Sequence, residues 1–339
     1  MTPQRAVDLS ARHTFGCPAL AGEFLELTSA ADIGPAGEWL RGHPDALILG
    51  DGSNLLLVRQ RIDHVLQVGL RSRRIQAADE QWVWLDAAAG ENWHELVMWS
   101  LDQGLCGLEN LALIPGRVGA GPVQNIGAYG VEIAQCVEHV LALDIRSGRC
   151  ETLSAADCRF AYRDSRFKRE RGRWLITGVR LRLARHSALH LDYGDIRREL
   201  ANAGINSPTA PDVAAAVIRI RQARLPDPAR LGNAGSFFKN PVVAQDRLAA
   251  LHDRFPGMPA YPAGPGLIKI AAGWLIEQCG FKGVRRGDAG VHHAHALVLV
   301  NHGRATGTCL LALAMEIRSA VKDRFGLELE PEPVIINPV

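Results

Sequence analysis

Residues 107–132 read GLENLALIPGRVGAGPVQNIGAYGVE, a stretch with six glycines and three charged residues that fits neither a helix repeat nor a strand alternation. Glycine loses more conformational freedom on folding than any other residue, so a cluster of it marks backbone that must turn sharply or approach a ligand closely. We read the stretch as ligand-binding main chain. No Gly-x-x-x-x-Gly is followed by Lys-Ser or Lys-Thr, and no Gly-x-Gly-x-x-Gly opens a helix. A nucleotide would therefore be held by neither the phosphate loop of nucleoside triphosphatases nor a Rossmann turn.

On the N-terminal side of this stretch, short apolar runs separated by turn residues predict strands: Ala46 to Leu49, Leu55 to Val58, His64 to Val68 and Trp82 to Leu85. Trp93, Leu96, Val97 and Leu101 then share one face at helical spacing. On the C-terminal side, Val140 to Ile145 and Cys150 to Leu153 flank Arg146-Ser-Gly-Arg149, a hairpin signal, and Gly172 to Leu183 predicts another strand. Candidate linkers lie at 184–190 and at Leu225-Pro-Asp-Pro228, after a helix over about 211–224. Beyond them the pattern predicts helices over 266–279 and 306–325, the second with Leu310, Leu313, Ala314, Ile317 and Val321 on one face, around a strand Ala296 to Val300. The expectation is α+β throughout, with an N-terminal domain of about 185 residues and a smaller C-terminal one.

The chain has 339 residues, 47% apolar and 22% charged, which is ordinary for a soluble globular protein with two or three domains. A net charge of +2 argues against a dedicated nucleic-acid or membrane surface. Arg outnumbers Lys heavily but is spread along the whole chain. Seven cysteines without a Cys-x-x-Cys pair predict reduced, mostly buried thiols and imply neither zinc nor disulfides. The N-terminus has no signal-peptide core and no apolar run approaches a membrane span, so a cytoplasmic protein is expected.

A second glycine-containing loop, Leu49-Gly-Asp-Gly-Ser-Asn-Leu55, could present successive backbone N–H groups to a phosphate. Taken alone, a tight hairpin is the commoner fate of such a loop. Its weight comes from company: Thr14-Phe-Gly16, Tyr162-Arg-Asp-Ser165, Leu191-Asp-Tyr-Gly-Asp195, Leu231-Gly-Asn-Ala-Gly-Ser-Phe-Phe-Lys-Asn-Pro241, Ala271 to Cys279 and Leu329-Glu-Pro-Glu332. With these motifs, in this order and over nearly its whole length, the chain resembles the MurB family of UDP-N-acetylenolpyruvoylglucosamine reductases, type I branch.

The resemblance implies a PCMH-type FAD-binding domain of two α+β subdomains (about 1–68 and 69–185), a connecting region at 186–214, a smaller α+β substrate-binding domain at 215–325, and a tail at 326–339. It implies non-covalent FAD, with Gly50, Asp51, Gly52, Ser53, Asn54 and Leu55 at the pyrophosphate and Pro115, Gly116, Gly121, Asn125 and Gly127 shaping the loop around pyrophosphate and isoalloxazine. The implied reaction is NADPH-dependent reduction of the vinyl ether of UDP-N-acetylglucosamine enolpyruvate to UDP-N-acetylmuramate, in peptidoglycan precursor synthesis. By carry-over, Arg163 stabilises the developing enolate, Ser236 donates the proton, and Glu332 is the acid near the C-terminus. To donate a hydrogen bond Glu332 would have to be protonated, which needs burial or a nearby negative charge. Tyr193, Arg224, Asn240 and Tyr261 match positions that meet the UDP-sugar, Arg224 standing where the family commonly has Lys. His13 stands where Asn is usual, and Pro333 where an aliphatic residue is usual. No nucleic-acid or membrane partner is implied, and a monomer is expected.

Outside the motifs, Arg163 would by default pair locally with Asp164 or Asp195, and Ser236 would be a loop or N-cap serine. His292, His293, His295 and His302 could hint at a metal, with His293 and His295 alternating along a strand into Ala296. No carboxylate or Cys stands at a matching spacing, so no metal is expected.

Overall fold

A computed structural model describes residues 1–336. The chain packs as two units, and their boundaries are not linear in sequence: Met1–Val7, Ala21–Asp51 and Ile62–Ala223 form the first, while Asp8–Leu20, Gly52–Arg61 and Arg224–Val339 belong to the second. The later of the two expected linkers, Leu225 to Pro228, falls beside the boundary, whereas residues 186–223 pack with the first unit. The Gly-Asp-Gly-Ser-Asn loop is itself divided, Gly50 and Asp51 counting with one unit and Gly52 onward with the other.

The first unit is built on two sheets. One runs in the order Gln4–Asp8, Leu20–Leu27, Arg61–Val68, Leu47–Leu49, its last pair parallel with Leu47 opposite Val65. The other runs Arg149–Ser154, Val137–Asp144, Trp174–Ala184, Trp82–Ala88, Arg73–Ala78, all antiparallel. The strand Trp82–Ala88 buries every second side chain, Val83, Leu85 and Ala87, as a sheet with one covered face requires. Helix Trp93–Asp102 starts where the Asn92 side chain accepts a hydrogen bond from the Glu95 N–H at 3.0 Å, and it buries Trp93, Leu96, Val97 and Leu101, the face read from sequence. Strands Gln4–Asp8 and Leu20–Leu27 and helix Ile33–Gly42 precede the first apolar run noted above and were not expected from sequence.

The second unit centres on a four-stranded sheet, Gly232–Ser236, Val298–Asn301, Ala289–Val291, Arg285–Arg286, covered by helix Gly307–Phe325. That helix opens on Thr306, whose hydroxyl accepts from the Cys309 N–H at 3.3 Å, and closes on Gly326 in the left-handed region at φ +67°. Its core face is the expected Leu310, Leu313, Ala314, Ile317 and Val321. A parallel pair, Leu55–Leu57 with Val334–Ile336, ties the end of the chain to the stretch after the loop.

Some expectations need correction. The segment 266–279 is not one helix: Leu267–Ile270 is the middle strand of a three-stranded sheet with Val242–Ala244 and Ala260–Pro262, and helix Ala272–Gln278 follows. Leu-Ile-Lys-Ile suits a strand as well as a helix, and ladder partners on both sides decide it. His292 to Ala296 is not strand but the connection between Ala289–Val291 and Val298–Asn301, with the Val298 N–H bonded to the His295 carbonyl. Nor is the 50–54 loop a hairpin, since Leu47–Leu49 and Leu55–Leu57 pair with different strands. All seven cysteines are free, but only Cys17, Cys136 and Cys158 are buried, and burial pushes each of those thiols up to about 12. No helix among the described residues is long and apolar enough to cross a membrane.

Gly307 has no room for a side chain: an added Cβ would run into the Leu57 carbonyl oxygen. Gly307→Ala is expected to destabilise the protein by about 1–3 kcal/mol in urea unfolding, whereas Gly257→Ala, with nothing within 4 Å, stays within about 0.5 kcal/mol of the parent.

Candidate functional site

In the first unit the glycine-rich segment is held by hydrogen bonds that leave its turns little freedom. The Gly116 carbonyl accepts from the Trp93 N–H at 3.0 Å, the Leu111 carbonyl from the Trp93 indole at 3.0 Å, and the Leu113 N–H donates to His94 Nδ1 at 3.1 Å. Gly116 has φ +119°, closed to most L side chains, which accounts for glycine after Pro115. A Cβ at Gly121 would lie 2.8 Å from Ile133 Cδ1, so that glycine is set by packing. Asn125 is wholly buried in the left-handed conformation, φ +46°, and its amide donates to Glu132 Oε2 at 2.8 Å and to the Ala161 carbonyl at 2.9 Å while accepting from the Ala134 N–H at 3.2 Å. Its side chain ties the loop to neighbouring backbone.

That clamp brings 127–132 against 161–163. Arg163 Nη2 donates to the Gly127 carbonyl at 2.7 Å, and its guanidinium lies 5.3 Å from the Tyr162 ring centroid. A Cβ at Gly127 would sit 2.9 Å from Arg163 Nη1, so glycine admits the guanidinium. Asp164, one of the local partners open to Arg163, is bonded to Arg169, and Asp195, the other, to Arg198 at 3.0 Å. Leu113, Asn125, Tyr129 and Arg163 all have positive φ, a conformation costing a non-glycine residue about 1–2 kcal/mol, and such strain gathers at functional sites. Tyr193 is exposed and packs near Gly130, where an added Cβ would lie 3.4 Å from Tyr193 Cβ.

Arg117, absent from the sequence expectations, holds the start of the other loop. Its Nε bonds Asp51 Oδ1 at 2.5 Å, its Nη1 bonds the Val68 carbonyl, and Gly50 lies against its side chain. Gln67 donates to the Gly50 carbonyl at 3.0 Å.

In the second unit, Gly52 (φ +59°) approaches the backbone of His13: an added Cβ would be 2.6 Å from His13 Cα, and the Thr14 N–H donates to the Gly52 carbonyl at 3.2 Å. The Asn54 carbonyl accepts from the Val334 N–H at 3.0 Å, and Leu55 pairs with Val334. The tail therefore packs back on this unit. The Glu332 N–H donates to the Phe237 carbonyl at 2.8 Å, the Lys239 N–H donates to the Glu330 carbonyl at 2.9 Å, and Lys239 Nζ meets Glu330 Oε1 at 2.6 Å. On the other edge of the same segment the Phe237 N–H bonds the Leu297 carbonyl at 2.8 Å. Ser236 and Glu332, almost a hundred residues apart, thus stand on adjacent lengths of backbone. Asn240 is partly committed to structure, its Oδ1 accepting from the Ala272 N–H at 2.9 Å at the start of a helix. Tyr261 is exposed on the edge strand Ala260–Pro262, and Arg224 is the exposed last residue of helix Ala210–Arg224. Among the described residues no group of three or more His, Cys, Asp or Glu could hold a metal.

The family model for the UDP-N-acetylenolpyruvoylglucosamine reductase C-terminal domain matches residues 227–336, and one for an FAD binding domain matches residues 25–154. The UDP-N-acetylenolpyruvoylglucosamine reductase of Chromobacterium violaceum is 54% identical over 97% of this chain and 98% of its own length. The chain belongs to the UDP-N-acetylenolpyruvoylglucosamine reductase family. The reductase of Pseudomonas putida is 48% identical with the same coverage. The crystal structure of the reductase (MurB) from Thermus caldophilus superposes with a TM-score of 0.68 over 99% of this chain and 100% of that one, at 24% identity, and has the same fold. The glycine-rich segment 107–132 accordingly lies in an FAD-binding domain within an α+β fold.

Each glycine turn by itself fits a role in holding FAD: Gly52, packed against the His13 backbone, and Gly116, at φ +119°, are turns of positive φ whose neighbouring main-chain groups can meet a dinucleotide. Arg117→Ala removes a charge-assisted bond of about 1.5–3 kcal/mol beside Gly50, and is expected to weaken FAD at least tenfold in a fluorescence titration. Unchanged affinity would mean that the Asp51 turn keeps its shape without Arg117.

Proposed function

We propose that the chain is a UDP-N-acetylmuramate dehydrogenase, reducing UDP-N-acetylglucosamine enolpyruvate to UDP-N-acetylmuramate with NADPH through non-covalent FAD, for peptidoglycan precursor synthesis. The observation that carries this is kinship over almost the whole length of both chains, covering the FAD-binding part and the C-terminal part alike. FAD, when bound, relays two electrons and a proton equivalent from NADPH to the vinyl ether.

The residues of the chain then have separable tasks. Gly50 to Leu55 and the turn from Pro115 to Gly127 hold the dinucleotide on main-chain groups. Addition at the terminal carbon of the enolpyruvyl group builds negative charge next to its carboxylate. Arg163 meets that charge with a fork fixed by the Gly127 carbonyl and the Tyr162 ring, so little reorganisation remains at the moment of reaction. Ser236 gives its hydroxyl proton to the remaining carbon. A neutral serine serves because the enolate is a strong base and position replaces driving force. Glu332, held by its own N–H on the Phe237 carbonyl, is the acid that supports the enolate. Tyr193, Arg224, Asn240 and Tyr261 contact the UDP-sugar, Arg224 as a bidentate fork in place of an ammonium. The enzyme works as a cytoplasmic bacterial monomer with small-molecule partners only, in keeping with its near-neutral net charge.

Purified protein should be yellow and should oxidise NADPH faster when UDP-N-acetylglucosamine enolpyruvate is added. A colourless protein without affinity for FAD would defeat the proposal. In stopped-flow measurements, Ser236→Ala should leave anaerobic bleaching by NADPH nearly intact while slowing UDP-N-acetylmuramate formation by about 10²-fold or more. Equal loss in both halves of the reaction would make Ser236 structural.

A further inference from the structure

The Gly127 carbonyl fixes the guanidinium of Arg163, but the main chain of Arg163 needs holding too. Arg163 is the third residue of a tight turn closed by reciprocal backbone bonds, the Ala161 N–H donating to the Asp164 carbonyl and the Asp164 N–H to the Ala161 carbonyl, each at 3.0 Å. Its φ is +54°, at a turn position that ordinarily calls for Gly or Asn. A residue strained in this way stays in place only where its surroundings over-determine it.

Lys168 supplies that hold. Its Nζ donates to the Arg163 carbonyl at 3.0 Å and to Gln124 Oε1 at 2.7 Å. Gln124 is buried and ends the short helix Gly121–Gln124, immediately before the Asn125 clamp. One ammonium thus ties the strained peptide of Arg163 to the same glycine-rich segment whose Gly127 carbonyl bonds the arginine's side chain. Lys168 is itself well anchored. Ser165, fully buried, donates its hydroxyl to the Val123 carbonyl at 2.8 Å and accepts from the Lys168 N–H at 3.3 Å, while Phe167 is buried in the core.

The choice of lysine has a physical reason. Its ammonium carries three donors on a flexible stem, so one group can serve two acceptors, and a charged donor bonds a carbonyl more strongly than a neutral one. Released from Lys168, the Arg163 peptide would relax toward ordinary negative φ and carry the guanidinium away from the Gly127 carbonyl. A displacement of about 1 Å at a reacting group can cost about 10²-fold in rate.

Resting on the reading above in which Arg163 meets the charge of the enolate, we propose that Lys168 is a positioning residue for the second half of the reaction. It holds Arg163 in the left-handed conformation, so that the guanidinium is in place before charge develops. Lys168 acts through Arg163, and not on NADPH or on the first half of the reaction.

Stopped-flow measurements on the FAD-loaded protein separate the two halves: anaerobic bleaching by NADPH, then reoxidation of the reduced flavin by UDP-N-acetylglucosamine enolpyruvate. Lys168→Met should slow reoxidation by about 10- to 100-fold while bleaching and the FAD dissociation constant stay within about twofold of the parent. Lys168→Arg, which keeps the charge and the donors, should recover most of the rate. In an Arg163→Met background the same Lys168→Met replacement should cost less than about twofold, because a residue that acts through Arg163 then has nothing to position. Equal losses in the two backgrounds, or weakened FAD binding, would make Lys168 a general staple of the segment and overturn the proposal, as would reoxidation at the parent's rate. If Lys168→Met does not fold, Lys168→Gln makes the same comparisons, keeping a donor without the charge. An Arg163→Met enzyme that reoxidises at the parent's rate sinks the underlying role of Arg163 instead, so the two failures are told apart.

Discussion

The geometry of the glycine-rich segment in the first unit depends on one buried amide. Asn125 has no solvent-exposed surface, and through its side chain it joins three stretches of backbone: the 132–134 turn, the Ala161 carbonyl, and its own position at the end of the short helix Gly121–Gln124. A buried amide is stable only when its donors and acceptor are matched, and here partners come from both sides of the turn and from a chain segment more than thirty residues away. The clamp fixes where Gly127 stands, and Gly127 in turn gives Arg163 a carbonyl to bond and the space to reach it. Positive φ at Leu113, Asn125, Tyr129 and Arg163 is the conformational cost of this arrangement.

The second unit solves a different problem by simpler means. An extended segment such as the one around Glu332 has no hydrogen bonds of its own to fix it. Backbone pairing of 330–332 with 237–239, and of Val334–Ile336 with Leu55–Leu57, removes that freedom and sets Glu332 next to the strand that ends in Ser236. Because these are main-chain bonds, they constrain position without naming side chains, and the flanking Pro331 and Pro333 favour the extended backbone that such pairing needs.

Much of this could be read from the residues. The faces of helices Trp93–Asp102 and Gly307–Phe325 followed from apolar spacing, because one side of each is buried against a core. The loops around Gly52 and Gly116 were legible because glycine tolerates backbone that other residues do not. Arg117 and Arg221 were not legible. Nothing in Pro-Gly-Arg-Val or Ile-Arg-Gln-Ala separates a guanidinium bonded to Asp51, or one whose Nε is buried without a hydrogen bond, from the many solvated arginines elsewhere in the chain. The 266–279 segment failed for a related reason: Leu267–Ile270 has no helix or strand preference strong enough to outweigh ladder partners supplied by distant strands.

The sequence by itself determined the α+β class, the glycine turns and the ordered motifs that mark the family, since these depend on local conformation and on residue identity. Tertiary structure alone decided which distant residues became neighbours: Gly127 with Arg163, Ser236 with Glu332, Arg117 with Asp51. Burial and hydrogen-bond satisfaction are properties of the packed chain, and whether an arginine is a solvated surface charge or a fixed structural one depends on which partners packing leaves within its reach.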